Sequence, residues 1–149
     1  MALILFDTNI FIDMLSGVHE ATVELGRYDD PAISVITYME LRSGEWLRPQ
    51  DKSILDAVLA EFTVLQLERH VVEASIAVRG AGLAAPPKIK LPDAIIAATA
   101  LSHGVPLVTR NGRDFVRVPV TIHTPYDYDS LTGAVSNVRA PFHQGIPGG

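Results

Sequence analysis

Residues 2–9, Ala2-Leu3-Ile4-Leu5-Phe6-Asp7-Thr8-Asn9, decide the fold: five apolar residues in succession give way to three polar ones. A continuous apolar run of this length is typical of a strand buried on both faces, as in a parallel sheet covered by helices. Residues 8–15 then have the spacing of a helix with one apolar side, formed by Ile10, Phe11, Met14 and Leu15. This stretch is therefore predicted to be a strand followed by a helix, with Asp7 at the junction.

Strands and helices alternate through the first 124 residues. Further strands are predicted at 32–34, 63–67, 106–109 and 118–122, and further helices at about 35–46, 51–61, 69–82 and 92–103. This alternation predicts an α/β fold, in which a single domain (residues 1–124) has a central parallel sheet covered by helices on both faces. Residues 125–149 contain three Pro and four Gly and no long apolar period, so they are predicted to form an irregular C-terminal extension.

The composition narrows the class of protein. A chain of 149 residues with 48% hydrophobic and 19% charged residues has the size and composition of one folded domain rather than of a disordered chain. The absence of Cys excludes disulfides and thiolate metal sites. No signal peptide and no membrane span are recognisable, so a cytoplasmic location without membrane association is expected. The net charge of −5 argues against nucleic-acid binding, unless some of the acids are neutralised by bound metal ions.

Four acidic residues follow predicted strands or begin the helices after them. Asp7 directly follows the first strand, Glu40 lies in the helix after the second, Asp93 lies in the first turn of the helix at 92–103, and Asp114 follows the strand at 106–109. Ligands of open parallel sheets bind beyond the carboxyl ends of the strands, so these four carboxylates are expected to converge. Clustered carboxylates repel one another, and oxygen ligands without His or Cys favour Mg²⁺ or Mn²⁺ over zinc. Such ions activate water and stabilise an in-line phosphodiester displacement.

Each acid also has an ordinary structural interpretation. Asp7 can be a helix N-cap, Thr37 with Glu40 matches a capping box, Asp93 suits a helix N-terminus, and Asp114 can be a turn residue. These local roles do not explain why four acids occupy corresponding positions of one α/β chain, because Ser or Asn caps a helix as well as Asp does.

Four segments of the sequence, taken in order, resemble the PIN-domain family, specifically the short VapC-type toxins of toxin–antitoxin pairs. The resemblance covers residues 2–124. The segments are the strand into Asp7-Thr8-Asn9, then residues 33–41 (ISVITYMEL), residues 91–100 (LPDAIIAATA) and residues 107–115 (LVTRNGRDF).

The resemblance implies a metal-dependent endoribonuclease. By this likeness Asp7 and Asp93 are the principal metal ligands, and Glu40 and Asp114 complete the catalytic acids. Supporting polar groups are implied at Thr8, Asn9, Thr109 and Asn111. The likeness also implies Mg²⁺ or Mn²⁺ as cofactor, an RNA substrate, a homodimer, and a small antitoxin that inserts a segment near the active site.

Two other functions stay open at this point. One is a PIN-like module that binds RNA or protein without catalysis, and the other is an RNA-processing nuclease with no antitoxin.

Four basic residues are expected to flank the acids, either as phosphate ligands or as solvated loop charges: Lys88, Lys90, Arg110 and Arg113. Asp13 is expected on the surface, and Trp46 and Phe62 in the core or an interface.

Overall fold

The structure is a computed structural model that describes residues 3–143. The strands of these residues are β1 (Ile4–Phe6), β2 (Pro31–Ser34), β3 (Thr63–Leu65), β4 (Leu107–Val108), β5 (Ile122–His123), β6 (Asp127–Asp129) and β7 (Ala134–Ser136). The α-helices are α1 (Thr8–Leu15), α2 (His19–Leu25), α3 (Val35–Gly44), α4 (Asp51–Leu59), α5 (Arg69–Ala84) and α6 (Leu91–His103), and one 3₁₀ helix spans Gly112–Phe115. None of the helices within 3–143 is long and apolar enough to cross a membrane.

Five strands form one parallel sheet in the order β3-β2-β1-β4-β5. The central strand β1 pairs on both sides, with Leu5 opposite Ala32 of β2 and opposite Leu107 of β4. The chain builds outward from β1 to β3 first and then returns to the other side of β1. The order therefore reverses between β1 and β4, and a crevice opens at the carboxyl ends of these two strands.

The side chains of β1 alternate between two separate cores. Ile4 and Phe6 point to the core that contains Phe11 and Phe62, whereas Leu5 points to the core that contains Ala97 of α6. All three β1 side chains are fully buried, which is what a continuous apolar run requires of a strand covered on both faces. The predicted α/β fold, with a parallel sheet covered by helices on both faces, is confirmed.

Several element bounds differ from the sequence-based prediction. Helix α2 was not predicted, and the strand expected at 118–122 is confined to residues 122–123. The helix expected to reach residue 46 ends at Gly44, which leaves the side chain of Trp46 89% exposed. Trp46 is therefore excluded from the core, while Phe62 lies within it as expected.

The C-terminal extension is more regular than its composition indicates. Strands β6 and β7 pair antiparallel, and Gly133 takes a positive φ of 74° in the turn between them. Tyr126, just before β6, is fully buried in the core beneath β1. Phe142 packs against the same core, so the described part of the extension is attached to the domain by apolar contacts at both ends.

Candidate active site

The polar residues predicted to surround the site meet at the crevice between β1 and β4. Asp7 directly follows β1 and Thr109 directly follows β4. The Thr109 hydroxyl donates to Asp7 Oδ2 at 2.7 Å, a bond between residues 102 positions apart in the chain. The parallel pairing of β1 with β4 brings the two together, because it places the carboxyl ends of both strands at one edge of the sheet.

The Asp7 carboxylate accepts three hydrogen bonds. Oδ1 accepts from the backbone N–H of Thr8 at 2.7 Å, and Oδ2 accepts from Asn9 Nδ2 at 3.3 Å as well as from Thr109. The Thr109 oxygen in turn accepts from Asn9 Nδ2 at 3.2 Å and from the backbone N–H of Asn111 at 3.0 Å. A carboxylate has about four acceptor sites, and these contacts use three, which leaves Oδ1 able to accept one more ligand.

Glu40 is joined to Asp7 through the residue that follows Asp7. The Thr8 hydroxyl donates to Glu40 Oε1 at 2.8 Å and lies 2.9 Å from the Thr37 hydroxyl. Since the single Thr8 proton goes to Glu40, Thr37 is the donor to Thr8. Thr37 is fully buried, and its part in this network was not predicted. Its position one helical turn before Glu40, on the same face of α3, is the signal that indicates it.

Asp93 and Asp114 approach from the other side of the crevice. Asp93 lies in the first turn of α6 and is half-buried, and Asp114 lies in the exposed 3₁₀ helix. Neither carboxylate has a hydrogen bond or an ion pair with another side chain in the part of the chain that the structure describes. Both are therefore available to a ligand from solvent.

The four acids act on one another electrostatically. Burial, together with the charges of Asp93 and Glu40, raises the pKa of Asp7 to about 6, although the hydrogen bonds from Thr109 and Thr8 act in the opposite direction. Burial is also the largest cause of the raised pKa of Asp93, followed by the charges of Asp114 and Glu40. Asp93 and Glu40 therefore lie within electrostatic range of Asp7, and Asp114 and Glu40 lie within that range of Asp93.

The local roles considered for these acids account for only part of the arrangement. Asp7 is indeed the N-cap of α1, but its second oxygen is directed to Thr109. Glu40 has no capping role, because α3 begins at Val35 and its N-cap is Ser34, which accepts from the backbone N–H of Ile36. Asp93 lies near a helix N-terminus, where a negative charge is favourable.

The donor set fits a hard divalent cation held by few protein ligands. Among residues 3–143, no three His, Asp or Glu side chains are arranged as a ready-made metal cage. Mg²⁺ does not need one, since it is usually bound by one or two carboxylates and keeps several waters. Within the described ranges no Lys or Arg forms an ion pair with any of the four acids, although the charge of Lys90 lowers the pKa of Asp93. A cation is the group that would relieve this repulsion.

Two predictions about charged residues near the site are wrong. Asp13, expected on the surface, is 2% exposed. It accepts from Arg110 Nε at 2.7 Å, from Arg110 Nη2 at 3.0 Å and from the hydroxyl of Tyr126 at 2.7 Å. Arg110 is therefore engaged by a buried carboxylate rather than free to bind phosphate. Its backbone N–H also donates to Asn9 Oδ1 at 3.2 Å, which connects this ion pair to the Asp7 network.

The fold and the site define an α/β domain with an acidic centre at the topological switch point. A model of the PIN-domain family matches residues 4–120, so the chain belongs to the PIN-domain family. Nucleases of this family are hydrolases that act on nucleic acids. The comparison with curated proteins returned no match.

Solved structures with the same fold come from toxin–antitoxin complexes. A chain of a toxin–antitoxin complex from Klebsiella pneumoniae is 39% identical over 83% of this chain and 98% of that one, with a TM-score of 0.71. A chain of FitAcB from Neisseria gonorrhoeae is 25% identical over 82% and 97%, with a TM-score of 0.72. A chain of DNA-bound VapBC from Salmonella typhimurium is 25% identical over 83% and 98%, with a TM-score of 0.69. The resemblance to PIN domains of the VapC type is confirmed.

Proposed function

We propose that this protein is the toxin of a toxin–antitoxin pair and a divalent-metal-dependent endoribonuclease. The observation that carries the proposal is the acidic centre itself. Hydrogen bonds hold the Asp7 carboxylate at the switch point. Burial and the negative charges of the other acids raise the pKa of Asp7 and of Asp93. No basic side chain of the described residues forms an ion pair with any of the four acids. A structural role alone gives no reason to maintain this repulsion.

Asp7 and Asp93 would hold Mg²⁺ or Mn²⁺. Asp7 offers the remaining acceptor site of Oδ1, and Asp93 offers a carboxylate with no other partner among residues 3–143. When bound, the ion lowers the pKa of its water and offsets the charge that develops on the phosphate oxygens. Thr8, Asn9, Thr109 and Asn111 keep Asp7 in place, so the site needs little rearrangement to bind the ion.

Glu40 and Asp114 would position the attacking water. Oε1 of Glu40 is occupied by the Thr8 hydroxyl, which leaves Oε2 for a water molecule. Hydrolysis adds this water across one P–O bond: the water oxygen bonds to phosphorus, the ester bond to the leaving oxygen breaks, and the leaving oxygen takes up a proton. An RNA strand is the proposed substrate, and a cytoplasmic location belongs to the same proposal.

The proposed antitoxin has a suitable docking surface beside the acids. A cavity of about 500 Å³ is lined by the apolar residues Ile12, Leu15, Leu41 and Leu47, with Thr8 and Glu40 also in its wall. Leu47 is 90% exposed in this chain alone. An apolar groove of this kind is suited to an amphipathic segment of a partner, which would cover the site and block the approach of RNA.

The proposed homodimer is supported by the outer face of α5. Val72, Ile76 and Leu83 are spaced four and seven residues apart, so they lie on one side of the helix. Ile76 is 59% and Leu83 57% exposed. A stripe of exposed apolar side chains on one helix is a feature of surfaces that pair with another copy.

Cleavage of a mixed RNA pool tests the proposed activity. The protein, purified free of any antitoxin, is incubated with Mn²⁺, Mg²⁺ or EDTA, and Asp93→Asn is compared with Asp29→Asn. Asp29 is an exposed acid before β2, at the opposite end of the sheet, so the control makes the same chemical change away from the site. We expect cutting that needs metal, is lost in Asp93→Asn and persists in Asp29→Asn.

The alternatives give different results. Wild-type protein that binds RNA but does not cut it in any metal is a binding module and refutes the nuclease proposal. Cutting by a protein whose gene has no neighbouring short reading frame for an antitoxin favours an RNA-processing nuclease. Cutting that persists in Asp93→Asn places the activity elsewhere.

A further inference from the structure

A second cavity adjoins the acidic centre on the side of the C-terminal extension. It has a volume of about 470 Å³, within the range of ligand sites, and it is polar. One wall is the loop after β4, including Asn111, Arg113 and Asp114, and the other is β6, with Asp127 and Tyr128. Asp114 belongs both to this cavity and to the four acids, so the cavity opens directly beside the acidic centre.

The charges in this cavity leave one cation unpaired. Arg110 is neutralised by Asp13, and Asp127 accepts from Asn137 at 2.7 Å and pairs with Arg139 at 3.2 Å. Arg113 is exposed and has no ion pair among residues 3–143, although its charge contributes to the lowered pKa of Asp127. An exposed guanidinium next to the four acids is placed to bind a phosphate of the proposed substrate backbone.

The aromatic ring of Tyr128 is held in place before any ligand arrives. The Arg110 guanidinium lies 5.3 Å from the ring centroid and is itself fixed by its two hydrogen bonds to Asp13. The ring is half-buried and lines the cavity. A fixed aromatic ring beside a backbone-binding cation is the combination that single-stranded nucleic acids use, with bases stacked on rings and phosphates on basic side chains.

We propose that this cavity is a nucleotide subsite for the RNA substrate, in which Tyr128 stacks on a base and Arg113 contacts a neighbouring phosphate. The inference rests on the proposed ribonuclease function and extends it to how the substrate is held. Tyr128 lies beyond residue 120, where the family match ends, and the three solved chains described above cover no more than 83% of this sequence. Within the subsite, Arg113 lies in the part shared with the family model and Tyr128 lies outside it.

Binding of short RNA without metal tests the subsite independently of cleavage. The probes are fluorescein-labelled ten-nucleotide homopolymers of A, C, G and U, measured by fluorescence anisotropy in EDTA. Tyr128→Ala should weaken binding about 5- to 140-fold, which corresponds to the loss of one stacked base, while Tyr128→Phe keeps the ring and should bind like wild type. Arg113→Ala should lower the slope of log Kd against log salt concentration by about 1, which is the change expected for the loss of one phosphate contact.

The chain offers a matched control for each variant. Tyr38 also has an arginine, Arg42, 5.3 Å from its ring centroid, but it lies on α3 and does not line the cavity. Arg69 is exposed and has no ion pair in the described part of the chain, like Arg113. Tyr38→Ala and Arg69→Ala should leave RNA affinity and its salt dependence within twofold of wild type.

The outcomes separate this proposal from the one it rests on. If the wild type cuts RNA while Tyr128→Ala and Arg113→Ala bind and cut RNA as well as their controls, the subsite is refuted and the nuclease proposal stands. The cavity is then either a protein-binding surface or not a binding site. If the wild type neither binds nor cuts any RNA, both proposals fail. Arg113→Ala keeps the test valid should Tyr128→Ala unfold the hairpin, because Arg113 is exposed and its side chain has no hydrogen bond or ion pair with β6 among residues 3–143.

Discussion

Removing one hydroxyl from Tyr126 should destabilise the protein measurably. Its hydroxyl donates to Asp13 Oδ2 at 2.7 Å, and both residues are almost fully excluded from solvent. The pKa of the Tyr126 hydroxyl is raised, first by burial and then by its bond to Asp13, so this group stays a proton donor throughout the neutral range. Tyr126→Phe keeps the ring in the core and removes only this bond to a charged acceptor.

The expected loss follows from the partners that remain. A hydrogen bond to a buried charged group contributes about 1.5–3 kcal/mol, and Asp13 retains its two bonds to Arg110 in the variant. For a domain of about 150 residues, each kcal/mol lowers the melting temperature by about 2–4 °C. Tyr126→Phe should therefore melt roughly 3–12 °C below wild type. Asp13→Ala should cost more, about 3–5 kcal/mol, because it leaves the Arg110 guanidinium without its buried partner.

Urea unfolding followed by circular dichroism, with thermal melts alongside, measures both variants. Tyr128→Phe is the matched control, because the Tyr128 hydroxyl has no hydrogen bond within residues 3–143. If the free energies of unfolding of Tyr126→Phe and Tyr128→Phe agree within about 0.5 kcal/mol, the hydroxyl of Tyr126 contributes nothing to stability. The reasoning about the contacts of Asp13 with Tyr126 and Arg110 is then wrong.

Three further predictions concern the acids and the surface. The stability of Asp7→Asn relative to wild type in EDTA should rise by up to about 3 kcal/mol between pH 4 and pH 7.5, because the raised pKa means that the folded wild type disfavours the ionised carboxylate above pH 6. A constant offset reports the hydrogen bonds from Thr109 and Asn9 that the Asn amide nitrogen does not accept, and a stability difference that stays the same from pH 4 to pH 7.5 would contradict the prediction. Mn²⁺ at ten times its Kd should raise the melting temperature of the wild type by about 3–6 °C and leave the melting temperature of Asp93→Asn unchanged. An equal rise in both proteins would mean that the ion binds elsewhere. If the protein is the proposed homodimer, Ile76→Glu should convert it to a folded monomer in light scattering, whereas a dimer that persists in the variant would exclude the α5 stripe as the interface.

Local patterns were sufficient to predict the sheet and the positions of the acids. The apolar run that contains Ile4–Phe6 is typical of a strand buried on both faces, and a polar residue directly after such a strand lies at a sheet edge where ligands bind. Glu40 and Asp93 do not follow a strand directly; they were predicted from their positions in helices of the same alternating pattern. Local patterns did not provide the strand order, so Thr109 was predicted only through the family resemblance; the pairing of β1 with β4 is what brings it to Asp7.

Long-range pairs account for the errors. Asp13 has no neighbour in sequence that neutralises it, and its partners Arg110 and Tyr126 lie 97 and 113 residues away. A charged residue on a helix is usually solvated, so burial was not expected without knowledge of these partners. The same partners explain why Arg110 is not a free phosphate ligand. The β6–β7 hairpin was missed because each strand has only three residues, too few to show an alternating pattern.

The chemistry of the cut RNA ends tests most directly whether the four acids form a metal-dependent hydrolytic site. Fragments made in Mn²⁺ are analysed for their terminal phosphates, with EDTA and Asp93→Asn reactions in parallel. Attack by water predicts linear phosphate ends that appear only with metal and only when Asp93 is present. Fragments that end in 2′,3′-cyclic phosphate, or linear ends that persist in EDTA or in Asp93→Asn, would contradict a metal-dependent hydrolysis at this centre.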